Sequence, residues 1–214
     1  MSRTGPARVA VLISGRGSNM LAIVDAARDE GWDVDFLVLA NRKRAPGLAA
    51  ARERGIATDV LSHRRFEDRG DFDAALAARV REFGADWVVL AGFMRILGPR
   101  FVSRFPGRIL NIHPSLLPKY PGLHTHRRVL EAGDAEHGCT IHLVDDTLDG
   151  GPVLRQARVP VLPGDDEGSL AARVLVQEHR LFPAAVRDAI EGRIEAPGLL
   201  PSASLATPAG GAFP

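Results

Sequence analysis

Val9-Ala10-Val11-Leu12-Ile13-Ser14-Gly15-Arg16-Gly17-Ser18-Asn19 is a continuous β-rich run that breaks into a glycine-rich turn. Leu21, Ile23, Val24 and Ala27 follow at helical spacing, so the segment reads as strand, tight turn and helix. The unit then repeats. Strand-like runs lie at Val34 to Ala40, Thr58 to Ser62 and Trp87 to Ala91, with alanine-rich helical patterns at Gly47 to Arg54 and Asp73 to Phe83 between them. Alternation of this kind predicts an α/β fold, with a mostly parallel central sheet covered by helices on both faces.

After Ile109 to His113 the rhythm changes. Thr140 to Val144 and Val153 to Val161 are strand-like runs joined by Asp149-Gly150-Gly151, a hairpin-type turn, which predicts an antiparallel C-terminal extension. A last helix is expected from about Ser169 to Glu191, interrupted near Pro183. From Ala196 to Pro214 the chain is mostly Pro, Ala, Gly and Ser, a composition that predicts a disordered tail and leaves residues 1–195 as one domain. No solenoid-type repeat or heptad run is present.

With 214 residues and 45% hydrophobic content, the chain is long enough for a single large core. Lys plus Arg number 27 against 26 Asp plus Glu, so no global field draws it to nucleic acid or an anionic membrane. Any anion it binds must be recognised locally. Cys139 is the only cysteine, which excludes an intramolecular disulfide and a cysteine-paired zinc site and fits a reducing compartment. The apolar run Val9 to Ile13 is too short for a signal peptide or a membrane span. The expectation is a cytoplasmic monomer or homodimer with small-molecule partners, no nucleic acid and no membrane.

Three constellations carry chemistry. In the first, Gly15 and Gly17 allow close backbone approach while Ser18 and Asn19 open a helix, where free N–H groups and the dipole attract an anion. Met20 stands where a dinucleotide fingerprint needs its third glycine, so a phosphorylated small molecule fits better than NAD. In the second, Phe93, Met94, Ile96 and Leu97 surround Arg95 after the strand at Trp87 to Ala91, which describes apolar walls for a flat heterocycle.

The third is Asn111-Ile112-His113 at the end of a strand, followed by the rigid loop of Pro114, Pro118 and Pro121. Residues at i and i+2 share a face, so an amide donor for an oxyanion lies beside an imidazole that can move a proton. The acidic stretch Asp145-Asp146-Thr147-Leu148-Asp149 can bring a carboxylate to His113, fixing its orientation. Each feature alone has a plainer reading: a helix cap, a core cluster, a solvated acidic turn. His124 and His126 suggest a metal pair, but no Glu-x-x-His or cysteine cluster accompanies them, and no metal is expected. His142, between Ile141 and Leu143, reads as a sheet residue.

Ser14 to Asn19, Ala91 to Leu97, Asn111 to Pro118 with Gly122-Leu123-His124-Thr125-His126, and Leu148-Asp149-Gly150-Gly151-Pro152-Val153 together resemble the folate-dependent formyltransferase family, in particular the phosphoribosylglycinamide formyltransferases. The resemblance spans roughly residues 8 to 192. It implies a Rossmann-like domain and transfer of the formyl group of 10-formyltetrahydrofolate to the amine of glycinamide ribonucleotide in purine synthesis, without metal. It also implies Asn111, His113 and Asp149 as the catalytic trio. Gly17, Ser18, Asn19 and Glu178 fall at ribonucleotide positions, while Arg69, Met94, Arg95, Ile96, Leu97 and Asn111 fall at folate positions. Leu175 stands where such relatives carry Lys or Gln near the phosphate, which leaves Arg16 or Arg173 to supply that donor.

Alternatives differ in what receives the formyl group. A formyltetrahydrofolate hydrolase uses the same trio on water but carries an N-terminal regulatory domain, for which no room is expected before Arg8. Methionyl-tRNA formyltransferases add a C-terminal nucleic-acid-binding domain. Another amine acceptor is a further alternative. A phosphorylated-ligand sensor is the non-enzymatic one, and gives Asn111, His113 and Asp149 no reason to occur together.

Overall fold

The computed structural model describes residues 5–194. The expected tail from Ala196 onward lies outside them. β1 (Ala7–Ile13), β2 (Val34–Ala40), β3 (Ala57–Val60), β4 (Trp87–Leu90), β5 (Ile109–His113), β6 (Glu136–Leu143) and β7 (Val153–Pro160) form one sheet in the order β3-β2-β1-β4-β5-β6-β7. The pairings from β3 through to β5 are parallel, and β5 with β6 and β6 with β7 are antiparallel. The mixed sheet and its antiparallel end are those the sequence predicts.

The helices are α1 (Ser18–Asp29), α2 (Pro46–Glu53), α3 (Arg69–Phe83), α4 (Pro99–Val102), α5 (Thr125–Ala132) and α6 (Glu167–Ile190). They divide between two cores, because alternate strand residues face opposite ways. Val9, Val11 and Ile13 face Met20, Ile23 and Leu48 of α1 and α2 and Phe182 and Val186 of α6. Ala10 and Leu12 face Phe72, Leu76 and Val80 of α3 and Phe101 of α4. Burying side chains of this size contributes about 1.5–3 kcal/mol each. The lone Cys139 is fully buried, and burial pushes its thiol up to about 12.

Four differences from the sequence reading have local causes. α6 is not interrupted at Pro183: the helix runs through it. The proline lies among buried Phe182, Ala185 and Val186, whose packing outweighs one lost backbone bond. β6 begins at Glu136, ahead of Thr140, because His137 to Cys139 continue the ladder with β7. The β6–β7 connection is the loop 144–152 and not a tight hairpin. Gly151 is needed there, since a Cβ would meet the Leu143 carbonyl. The short helices α4 and α5, four and eight residues long, are too brief to be seen from sequence, and α5 is mostly polar; it buries Val129 and Thr125.

Strand order reverses between β1 and β4, the place where ligands bind in open α/β sheets. Their C-terminal loops are tied together there: Ser14 N–H donates to the Gly92 carbonyl (3.2 Å) and Met94 N–H donates to Ser14 Oγ (2.8 Å).

His126 on α5 and His137 on β6 meet ring to ring, Nδ1 to Nε2 at 2.9 Å. Such a contact needs at least one neutral ring. Burial above all holds both below the ordinary range, opposed by Glu167 at His126 and reinforced by neighbouring imidazoles at His137, which is lowered from 6.5 to about 4. A group that the fold prefers neutral contributes fully above about pH 6.5, and its contribution is lost as pH falls toward 4. We expect the thermal unfolding midpoint to fall over that window, and to fall less steeply in a His126→Leu/His137→Leu variant. Identical slopes would show that the pair does not couple to folding.

Candidate active site

The β5–β6 register places the polar groups. Leu110 and Ile112 enter the first core, so Asn111 and His113 project from the other face of the sheet. His113 is buried, with Nε2 at 2.9 Å from the Tyr120 carbonyl and Nδ1 at 3.4 Å from Asp149 Oδ2. Both ring nitrogens therefore face oxygen acceptors. Asp149 holds a left-handed backbone conformation (φ 51°) and its Oδ2 also accepts from Gly122 N–H (2.8 Å). This carboxylate thus joins the loop after β6 to the loop after β5. Asp145, by contrast, is exposed and accepts from Thr147 N–H, and Asp146 is exposed.

Asn111 and His142 are direct cross-strand partners, and Asn111 Nδ2 lies 3.0 Å from His142 Nε2. His142 Nδ1 lies 2.9 Å from the Leu143 carbonyl, and its Nε2 is 3.8 Å from Asp149 Oδ1. The sequence reading had His142 as a sheet residue; it is one, and it also lies in the polar cluster. Alternation with Ile141 and Leu143 was the available signal. It shows that His142 points away from the first core, but only pairing shows toward what.

At the first turn, Gly17 takes a left-handed conformation and caps α1 without a side-chain hydrogen bond. Gly47 packs beneath it, where a Cβ would come within 2.7 Å of Ile13 Cδ1. One Nδ2–H of Asn19 is engaged inside the protein: Nδ2 donates to Glu178 Oε2 at 2.7 Å. Glu178 on α6 is buried, and burial raises its pKa while the Asn19 bond opposes the rise. Arg173 is also committed, with bonds to both Asp165 oxygens and the Pro160 carbonyl. Asp165 is held well below the usual carboxylate range by Arg173. Of the two donors considered from sequence, only Arg16 remains, exposed and without an ion pair among the described residues.

Around the loop after β4, Met94 and Ile96 are more than half exposed, but Leu97 is buried in the second core. Leu97 thus anchors the loop, and the next residue is held as well, with Gly98 N–H donating to Asp73 Oδ2 (2.7 Å). Burial raises the Asp73 pKa. Arg69 donates to the Ile96 carbonyl, and the Arg95 guanidinium stacks 5.0 Å over the Phe72 ring. Leu123 and Leu148, which sequence reasoning did not single out, are at least half exposed on the loops after β5 and β6. A cleft of about 610 Å³ between α3 and α4, lined by Ala77, Arg81, Arg100 and Arg104 among others, includes none of these groups. No cluster of metal-ligating side chains occurs among the described residues.

An amide, an imidazole and a carboxylate thus converge at one end of the sheet, where the uncapped start of α1 and the partly exposed loop after β4 also lie. With that geometry, residues 7–186 match the formyl transferase family. The chain belongs to that family. Its relatives include a phosphoribosylglycinamide formyltransferase of Escherichia coli (strain K12), 51% identical over 188 residues that cover 87% of this chain and 89% of the relative. The trifunctional purine biosynthetic protein adenosine-3 of Homo sapiens is 43% identical, over 88% of this chain and 19% of that much longer protein. Among solved structures, glycinamide ribonucleotide transformylase 1 of Symbiobacterium toebii superposes with a TM-score of 0.88 at 43% identity, covering 92% of this chain and 93% of the other.

Since Asn19 is the hydrogen-bond partner of a buried carboxylate, Asn19→Ala is expected to destabilise the protein by about 1–3 kcal/mol. Urea unfolding measures this. A change within error would show that Glu178 is satisfied in another way.

Proposed function

We propose that the protein transfers the formyl group of 10-formyltetrahydrofolate to the amine of glycinamide ribonucleotide in purine biosynthesis. The single observation that carries the mechanism is the approach of Asp149 to His113, on the same sheet face as Asn111. The substrate amine attacks the formyl carbon, and the carbonyl oxygen takes up negative charge. Asn111 has a second Nδ2–H beyond the one directed at His142, and that proton is available to the oxyanion. His113 lies between the Tyr120 carbonyl and the Asp149 carboxylate, contacts that a doubly protonated ring satisfies together. Its positive charge then adds to the field at the oxyanion.

As the tetrahedral intermediate collapses, the bond from carbon to the folate nitrogen breaks. The attacking amine loses one proton and the folate nitrogen gains one, so the products are the formylated amine and tetrahydrofolate. Asp149 balances the imidazolium through this sequence and fixes its orientation. No step calls for a metal.

The phosphate of the ribonucleotide is assigned to the uncapped start of α1 at Gly17, Ser18 and Asn19, through backbone N–H groups. Charge supports the assignment. Residues 14–19, 41–48 and 61–66 hold Arg16, Arg42, Lys43, Arg44, Arg64 and Arg65 and no acid. The segments are joined: Gly47 N–H donates to the Gly15 carbonyl, and the His63 ring Nδ1 lies 3.3 Å from the Asn41 carbonyl. Glu178 is assigned to the ribonucleotide, while Arg69, Met94, Arg95 and Ile96 are assigned to the folate. Leu97 holds their loop. The reading assigns the protein to the cytoplasm.

Incubation with 10-formyltetrahydrofolate, with and without glycinamide ribonucleotide, tests the reading. Tetrahydrofolate is expected only with the amine; equal release without it would mean hydrolysis, and no release in either would mean a binding protein. Asn111→Ala and Asp149→Asn are each expected to lower turnover by about two decades or more, with binding of both ligands retained. Near-wild-type turnover in either variant would remove that residue from the mechanism.

A further inference from the structure

His142 has no part in the chemistry described above, yet it is buried against it. A carbonyl oxygen only accepts, so the contact with Leu143 places a proton on His142 Nδ1. In the neutral ring Nε2 is then an acceptor, and the Asn111 side chain meets it with its amino end, not its oxygen. The amide thus has one orientation imposed from the neighbouring strand. We propose that His142 is a positioning residue for the transfer: through Nε2 it engages one Nδ2–H of Asn111 and turns the other toward the formyl oxygen. The inference rests on the formyl-transfer reading.

A doubly protonated ring would set Nε2–H against Nδ2–H and drive the amide to rotate, losing the donor. Burial holds the ring below the ordinary imidazole range. The charged groups that face it are His113, which opposes the cation, and Asp149 and Asp145, which favour it. The result is a ring kept neutral beside a carboxylate that serves the other imidazole.

His142→Leu removes the acceptor at similar volume. His142→Gln keeps a side-chain oxygen to accept from Asn111 and a side-chain N–H for the Leu143 carbonyl, but does not titrate. In the transfer assay, His142→Leu is expected to lose on the order of 100-fold in kcat with little change in either KM. His142→Gln should recover most of that loss and, relative to its own plateau, lose less rate than wild type at the acid end of the pH profile. Nitrogen-15 NMR of the wild-type imidazole should show the Nδ1-protonated tautomer, a readout independent of turnover. The inference fails if His142→Leu keeps wild-type kcat, if His142→Gln is as impaired as His142→Leu, or if the ring is protonated at Nε2. A wild-type protein that transfers nothing to the amine would instead overturn the formyl-transfer reading, with the NMR still reporting on the contact.

Discussion

The pairing of β5 with β6 is the constraint on which the site depends. Leu110 opposes Leu143, Asn111 opposes His142, Ile112 opposes Ile141 and His113 opposes Thr140. A one-residue slip of β5 would turn Asn111 and His113 into the apolar core, and the same slip of β6 would turn in His142, each putting leucine and isoleucine in the vacated places. The core enforces the register, since Leu110, Ile112, Ile141 and Leu143 are all buried in it. The same hydrophobic burial that stabilises the sheet therefore selects which polar side chains meet.

Around that ladder, the loops are held by polar bonds that cross long stretches of chain. Asp149 joins the loops after β5 and β6, Ser14 joins those after β1 and β4, and Asn19 joins α1 to α6. Each ties two segments that have no shared secondary structure. Loops fastened at such points hold their polar groups in place while Met94, Ile96, Leu123 and Leu148, on the loops after β4, β5 and β6, stay open to solvent. An exposed apolar wall costs hydrophobic stabilisation, and a planar ligand that covers it recovers that term on binding.

The division of labour between the two imidazoles follows from their surroundings. His113 stands between a carbonyl and a carboxylate, while His142 stands between a carbonyl and an amide. Identical side chains on adjacent strands are thus given opposite hydrogen-bond demands, the first toward two acceptors and the second toward one acceptor and one donor.

The sequence by itself determined the α/β alternation, the antiparallel end of the sheet, the glycine-rich strand-to-helix turn at Gly15 to Asn19 and the shared face of Asn111 and His113. All of these follow from local periodicity and from the geometry of glycine and proline. What only the tertiary structure decided lies between segments: that the Asp149 carboxylate approaches His113 Nδ1, that Asn19 donates to Glu178, that Leu97 is buried in the second core, and that His142 meets Asn111. The continuity of α6 through Pro183 is of the same kind, because neighbouring helices and strands supply the packing that overrides the local rule. Spacing along a chain fixes which way a side chain points. Which group it meets is set by strand register and loop closure, and those depend on residues far away in sequence.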